Sequence, residues 1–141
     1  MSLKLISLVV VFSLVSTSDL NLEGKHLSLC STSPMTGFFR TGYCTTGPSD
    51  HGTHTVCAQV NEGFLSYTKA QGNDLSTPRP WFPGLKPGDF WCLCALRWRQ
   101  ALQAAEALDD SSIVPLVKLD ATNVKALEYV DLATLQSFGI E

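Results

Sequence analysis

The sixteen residues from Asn73 to Gly88 (NDLSTPRPWFPGLKPG) hold four prolines and two glycines. Each proline fixes φ and removes a backbone donor, so no continuous helix or strand runs through this stretch. Regular structure must come from the segments on either side, with the loop crossing between them. Loops of this length in compact domains often carry function. The same segment also reads as a plain crossover packed down by Trp81, Phe82 and Leu85.

Before the loop, Thr36-Gly37, Arg40-Thr41-Gly42, Thr46-Gly47-Pro48 and His51-Gly52 are successive turn signals. His54 to Val60 (HTVCAQV) then alternates as a strand, with His54, Val56, Ala58 and Val60 on one face and Thr55, Cys57 and Gln59 on the other. Asn61 can cap a short helix running to Gln71, which Gly72 would end. After the loop, Asp89 is expected to cap a long helix, with a stripe at Trp91, Ala95, Trp98, Leu102 and Ala105. Ile113 to Leu119 reads as a strand, demoted to an edge or bulge by Pro115. Two short helices are expected at Thr122–Tyr129 and Asp131–Phe138. The order is that of an α+β domain with a short mixed sheet, one long helix, short helices and long irregular loops.

The chain of 141 residues fits one domain with a real apolar core. Hydrophobic residues make up 45% and charged residues 16%, which excludes disorder. Net charge is −3 and no basic block appears, which argues against nucleic acid as a partner. Residues 1–18 read as a secretory signal: Lys4, then the apolar run Leu5 to Val15, then Ser16-Thr17-Ser18. The run is too short to span a bilayer, so no stable membrane insertion is expected once the signal is removed. Residues 19–141 would then be a single domain, secreted or extracytoplasmic; without a signal it would be cytoplasmic. A buried first strand is the other reading of that run.

All five cysteines and all three histidines lie between His26 and Cys94. His54, Cys57, Cys92 and Cys94 offer the ligand mix of a zinc site. On a helix, however, Cys92 and Cys94 point about 200° apart. Cys92, inside a helix capped by Asp89, could be a reactive thiol, as could Cys57, with His54 as base. The same cysteines also read as small buried hydrophobes. In an oxidising compartment, Cys30 and Cys44 are the expected disulfide, closing a loop that would stabilise by about 3 kcal/mol. Asp74, beside Asn73, Ser76 and Thr77, is a general-base candidate or the corner of an Asx turn.

Several of these blocks carry a resemblance. Cys30-Ser31-Thr32, Pro34-x-Thr36-Gly37-Phe38, Thr46-Gly47-Pro48 and His54-Thr55-Val56-Cys57 are among them. Gly72 to Pro78, Phe82 to Lys86, and Gly88-Asp89-x-Trp91-Cys92-Leu93-Cys94-Ala95-x-Arg97-Trp98 complete the set. Together they resemble a largely bacterial family, domain of unknown function 2237, over roughly Asn21 to Ser137. The resemblance implies a small two-layer α+β fold and no assigned activity. Tyr43 stands where the family often has a second cysteine next to Cys44. Many relatives look cytosolic, so the resemblance implies no obligatory disulfide.

The chain is thus expected to gather His54, Cys57, Asp74 and Cys92 into a pocket roofed by the loop. Asn73, Asp74, Ser76, Thr77 and Trp81 would contact a ligand. One reading is a ligand- or metal-binding module (zinc being the metal) without turnover. A second is a thiol-dependent enzyme using Cys92 or Cys57 with His54. A third is a structural or partner-binding protein docking through Trp81 and Phe82.

Overall fold

A computed structural model describes residues 20–140. The expected signal segment, residues 1–18, lies outside the described residues. Strand β1 (His54–Gln59) pairs antiparallel with β2 (Phe90–Cys94) on one side and with β3 (Leu116–Val117) on the other. The sheet order is β2-β1-β3. Every strand pair is antiparallel, where a mixed sheet was expected; parallel pairing is confined to an isolated bridge between Val117 and Gly139. β3 is short and lies at an edge, as Pro115 before it requires.

Helix α1 (Glu62–Ala70) starts where Asn61 accepts a hydrogen bond from the Phe64 N–H at 2.7 Å. It ends before Gly72, which adopts the left-handed conformation. Helix α2 (Ala95–Leu108) is the long one, and α3 (Leu132–Ser137) is capped by Asp131. The expected helix at Thr122–Tyr129 is a 3-10 segment, Val124–Glu128, with Asn123 capping it.

One boundary differs from expectation in a way that matters for the site. The segment after Asp89 is a strand, and α2 begins only at Ala95. Trp91 to Cys94 alternates large and small residues, and pairing along β1 outweighs the local helical stripe. Asp89 accepts from the Lys86 N–H and closes a turn instead of capping a helix.

The pleat then sorts the side chains by chemistry. Val56 and Ala58 of β1, Trp91 and Leu93 of β2 and Val117 of β3 join Phe64, Trp98 and Ala101 of the helices in the main apolar core. Cys57 and Cys92, at intervening positions, enter a separate buried cluster with Cys30, Cys44 and Ala121. The turn-rich segment before β1 covers that second face. Helices therefore form one layer and the sheet the other, with looped chain over the sulfur side. Among the described residues no helix is long and apolar enough to cross a membrane.

The Asn73–Gly88 loop is fastened at several points. Arg79 and Phe82 exchange backbone hydrogen bonds, and the Leu85 N–H donates to the Leu75 carbonyl at 2.7 Å. Phe82 and Leu85 are buried. Gly84 is left-handed at φ +78, and a Cβ there would come 2.5 Å from the Ser76 carbonyl oxygen, so the loop can close on itself only at glycine. The crossover reading holds for Phe82 and Leu85. Trp81 instead remains 73% exposed.

Candidate functional site: a loop-roofed cavity beside a four-cysteine cluster

Cys57 and Cys92 are direct ladder partners, so they stand side by side on one sheet face. Each bonds to a cysteine from the turn-rich segment: Cys30 with Cys57, and Cys44 with Cys92. This corrects the expected Cys30–Cys44 pair. Proximity in sequence favoured that pair, but the two strand cysteines present two adjacent attachment points and take one loop cysteine each. All five cysteines fall among the described residues, and Cys94 alone is unpaired. Cys57 and Cys92 therefore carry no free thiol in this state, and neither can serve as a nucleophile or ligand until reduced.

The ligand set expected from sequence is not the one assembled. His54 and Cys94 face each other across the β1–β2 ladder, apart from the sulfur cluster. The sulfurs that do converge are those of Cys30, Cys44 and Cys57, all within 4.8 Å of one another. Cys30 and Cys44 were seen in the sequence only as a local disulfide. Their approach to Cys57 depends on the sheet, which no spacing along the chain reveals.

Beside this cluster lies a cavity of about 540 Å³. His54, Asn73, Asp74, Trp81 and Cys92 line it, together with Phe38, Arg40, Arg79, Phe82 and Trp91, whereas Cys57, expected in the same pocket, does not. Ser76 and Thr77 do not line it. Their backbone N–H groups, and the Thr77 hydroxyl at 2.6 Å, donate to the Asp74 carboxylate. These bonds, the one from the Thr77 hydroxyl foremost, hold the Asp74 carboxyl down at a pKa of about 2. A base so weak accepts protons poorly at neutral pH, so Asp74 acts here as the corner of the loop.

His54 has the more active setting. Its Nδ1 lies 2.6 Å from Oδ1 of the buried Asp50. Oδ2 of Asp50 accepts from the His54 backbone N–H and the Thr46 hydroxyl, each at 2.9 Å. An ionised carboxylate only accepts, so Nδ1 carries the hydrogen and Nε2 is the nitrogen left for a ligand. The ring stacks on Phe38, with centroids 6.0 Å apart. A Cβ at Gly52 would reach within 2.5 Å of His54 Cε1, so any larger residue at this turn would displace the ring. Sequence reading missed Asp50. The spacing Asp50-x-x-x-His54 was the available signal, but in a turn it carries no fixed geometry.

Burial alone would raise the Asp50 pKa, yet the bonds from the His54 ring, the His54 backbone and Thr46 together lower it. A carboxylate whose folded value is depressed adds stability above its unfolded value, near 3.9, and loses it as pH falls through the folded value. Asp50→Asn should therefore cost about 2–3 kcal/mol at pH 7. The gap between variant and parent should close as pH drops below about 4, which urea midpoints at pH 7 and pH 3 will show. An unchanged gap at the two pH values would refute the account of Asp50.

The cavity combines aromatic walls with positive charge. The Arg40 guanidinium lies over the Trp91 ring, 4.9 Å from its centroid, and donates to the Gly37 carbonyl at 2.7 Å. Phe82 meets Trp91 edge-on at 5.2 Å. Two arginines stand against one carboxylate that its own loop already satisfies. Such a lining suits a flat, apolar body bearing an acidic group.

No curated protein shows significant similarity to the chain. A family described as "Uncharacterized protein conserved in bacteria" (DUF2237) matches residues 20–139. That span takes in both disulfides and every residue lining the cavity, and the chain belongs to this family.

Proposed function

We propose that the domain binds a small organic anion, a flat apolar body with a carboxylate or similar acidic group, in the cavity beneath the Asn73–Gly88 loop. The observation that carries this reading is the convergence of Arg40, Arg79 and Asp50-oriented His54 on a cavity walled by Phe38, Trp81 and Trp91. Charged hydrogen bonds would select the acid and the rings would hold its body.

The test compares 1-naphthoate with its neutral amide by amide-resolved NMR. The acid should shift the signals of Phe38, His54 and Trp81 saturably, and the amide should bind at least tenfold more weakly. Arg79→Gln should weaken acid binding about tenfold, the loss of one charge-assisted contact. Equal binding of acid and amide, or no shifts at these residues, would remove the reading.

A second reading, an enzyme, is favoured by the 2.6 Å contact between Asp50 and His54. In that case His54 transfers protons at a bound substrate, and no thiol need take part. The partner-docking reading keeps only Trp81, since Phe82 is 8% exposed and faces inward. Two disulfides fit an oxidising compartment, which supports export.

A further inference from the structure

The two disulfides are packed sulfur against sulfur in one chamber, closed by Ala121 and Phe90. Stapling distant chain segments does not require that. Two separate sites would stabilise as well, and the pleat offers other positions. What the arrangement does supply is three sulfurs within 4.8 Å of one another, those of Cys30, Cys44 and Cys57, with that of Cys92 bonded to one of them. Cys57 and Cys92 come from adjacent strands, and Cys30 and Cys44 come from the irregular segment before β1.

The geometry points to a tetrathiolate site for a soft divalent cation, zinc by its chemistry, formed by Cys30, Cys44, Cys57 and Cys92 in the reduced chain. A zinc–sulfur bond of about 2.3 Å sets the sulfurs of a tetrahedron roughly 3.8 Å apart. The sulfurs of Cys30, Cys44 and Cys57 already lie within 4.8 Å of one another. Cys92 is bonded to Cys44, so the fourth sulfur starts beside one of these three and has only a short way to move once that bond is reduced. All four residues are buried, as befits a closed structural site without an open coordination position. The Lys118 ammonium donates to the carbonyl of Leu29, next to Cys30, and puts a positive charge at the rim of what becomes an anionic cluster.

Oxidation empties the site in a balanced step. Two molecules of a small disulfide each accept two electrons and leave as four thiolates. The four cysteine thiolates form the two protein disulfides, and the zinc ion departs. A dithiol reductant runs the step backwards. The cluster is thus a two-state element, metal-held when reduced and disulfide-held when oxidised. It shares only Cys92 with the lining of the cavity and uses none of the side chains proposed to hold the anion, so metal spectra and anion binding are read separately.

The experiment takes the full chain, reduces it under nitrogen with a phosphine, and titrates it with cobalt(II). One cobalt per chain should bind, with the intense visible bands and sulfur-to-metal charge transfer of tetrahedral thiolate coordination. Zinc should bleach them. Cys30→Ser and Cys44→Ser should each lose the four-sulfur spectrum, while Cys94→Ser keeps it. Oxidised glutathione should release one zinc per four thiols consumed, read with a chromogenic chelator. Because cysteine variants can misfold, a second measurement uses the parent chain alone. Zinc at a hundredfold excess over its dissociation constant should raise the Tm of the reduced chain by roughly 10 °C and leave the oxidised chain unchanged. Absent tetrahedral bands, a spectrum that survives Cys30→Ser, or equal zinc effects on both redox forms would each overturn the proposal.

Discussion

Replacing Cys44 and Cys92 together with alanine is expected to destabilise the oxidised domain by about 4 kcal/mol. The bond closes 48 residues of chain, and that closure is the freedom the unfolded state regains. The matching replacement of Cys30 and Cys57, separated by 27, should cost about 3.5 kcal/mol. The two loops interlock, since Cys44 lies inside the Cys30–Cys57 loop and Cys57 inside the Cys44–Cys92 loop. Each bond therefore restricts the other's loop, and removing both should cost less than the two losses added together. Domains of this size have about 5–15 kcal/mol in all, so either loss is a large fraction of the total. Urea unfolding without reductant reads the change. Thiol titration in denaturant should find one thiol per chain before reduction, that of Cys94, and five after it. A loss below 1 kcal/mol, or more than one thiol in the unreduced chain, would refute the role given to the bridges.

Trp98→Ala should cost about 3–5 kcal/mol. The side chain is fully buried in the first turn of α2, on its inner face. Its indole N–H donates to the Pro115 carbonyl at 3.1 Å, and its ring meets Phe138 edge-on at 5.5 Å. The one residue thus joins α2 to the segment before β3 and to the end of α3. Alanine would leave a large cavity and an unpaired carbonyl. Trp98→Phe, which keeps most of the volume but not the donor, should cost less than half as much. If the two variants proved equally damaging, the hydrogen bond rather than the packing would dominate, contrary to this account.

How far the chain could be read from sequence depends on the range of the forces involved. The helix at Glu62–Ala70 was legible because its signals are local: a capping asparagine, helical spacing of Phe64, Leu65 and Thr68, and a terminating glycine. β1 was legible because alternation within seven residues reports a buried face on each side. The strand at Phe90–Cys94 was misread. Its stripe continues smoothly into α2, and only the hydrogen bonds of β1, thirty residues away, choose between the two conformations. That error carried into the chemistry, since a helix separates Cys92 from Cys94 whereas a strand turns Cys92 beside Cys57.

The cavity was partly legible. Its loop announced itself through prolines, and Asn73, Asp74 and Trp81 were in view. Arg40, Arg79 and Asp50 were not, because an arginine or aspartate in a turn looks the same whether it faces water or a cavity.

Composition and short-range pattern alone therefore determined the α+β class and the places of two helices and the central strand. These follow from steric and hydrophobic periodicities that act over a few residues. Which cysteines bond, what holds His54 and which charges face the cavity were decided only by tertiary structure. Each depends on groups far apart in the chain meeting at hydrogen-bond or covalent distance, and only the completed sheet and its covering loops bring them there.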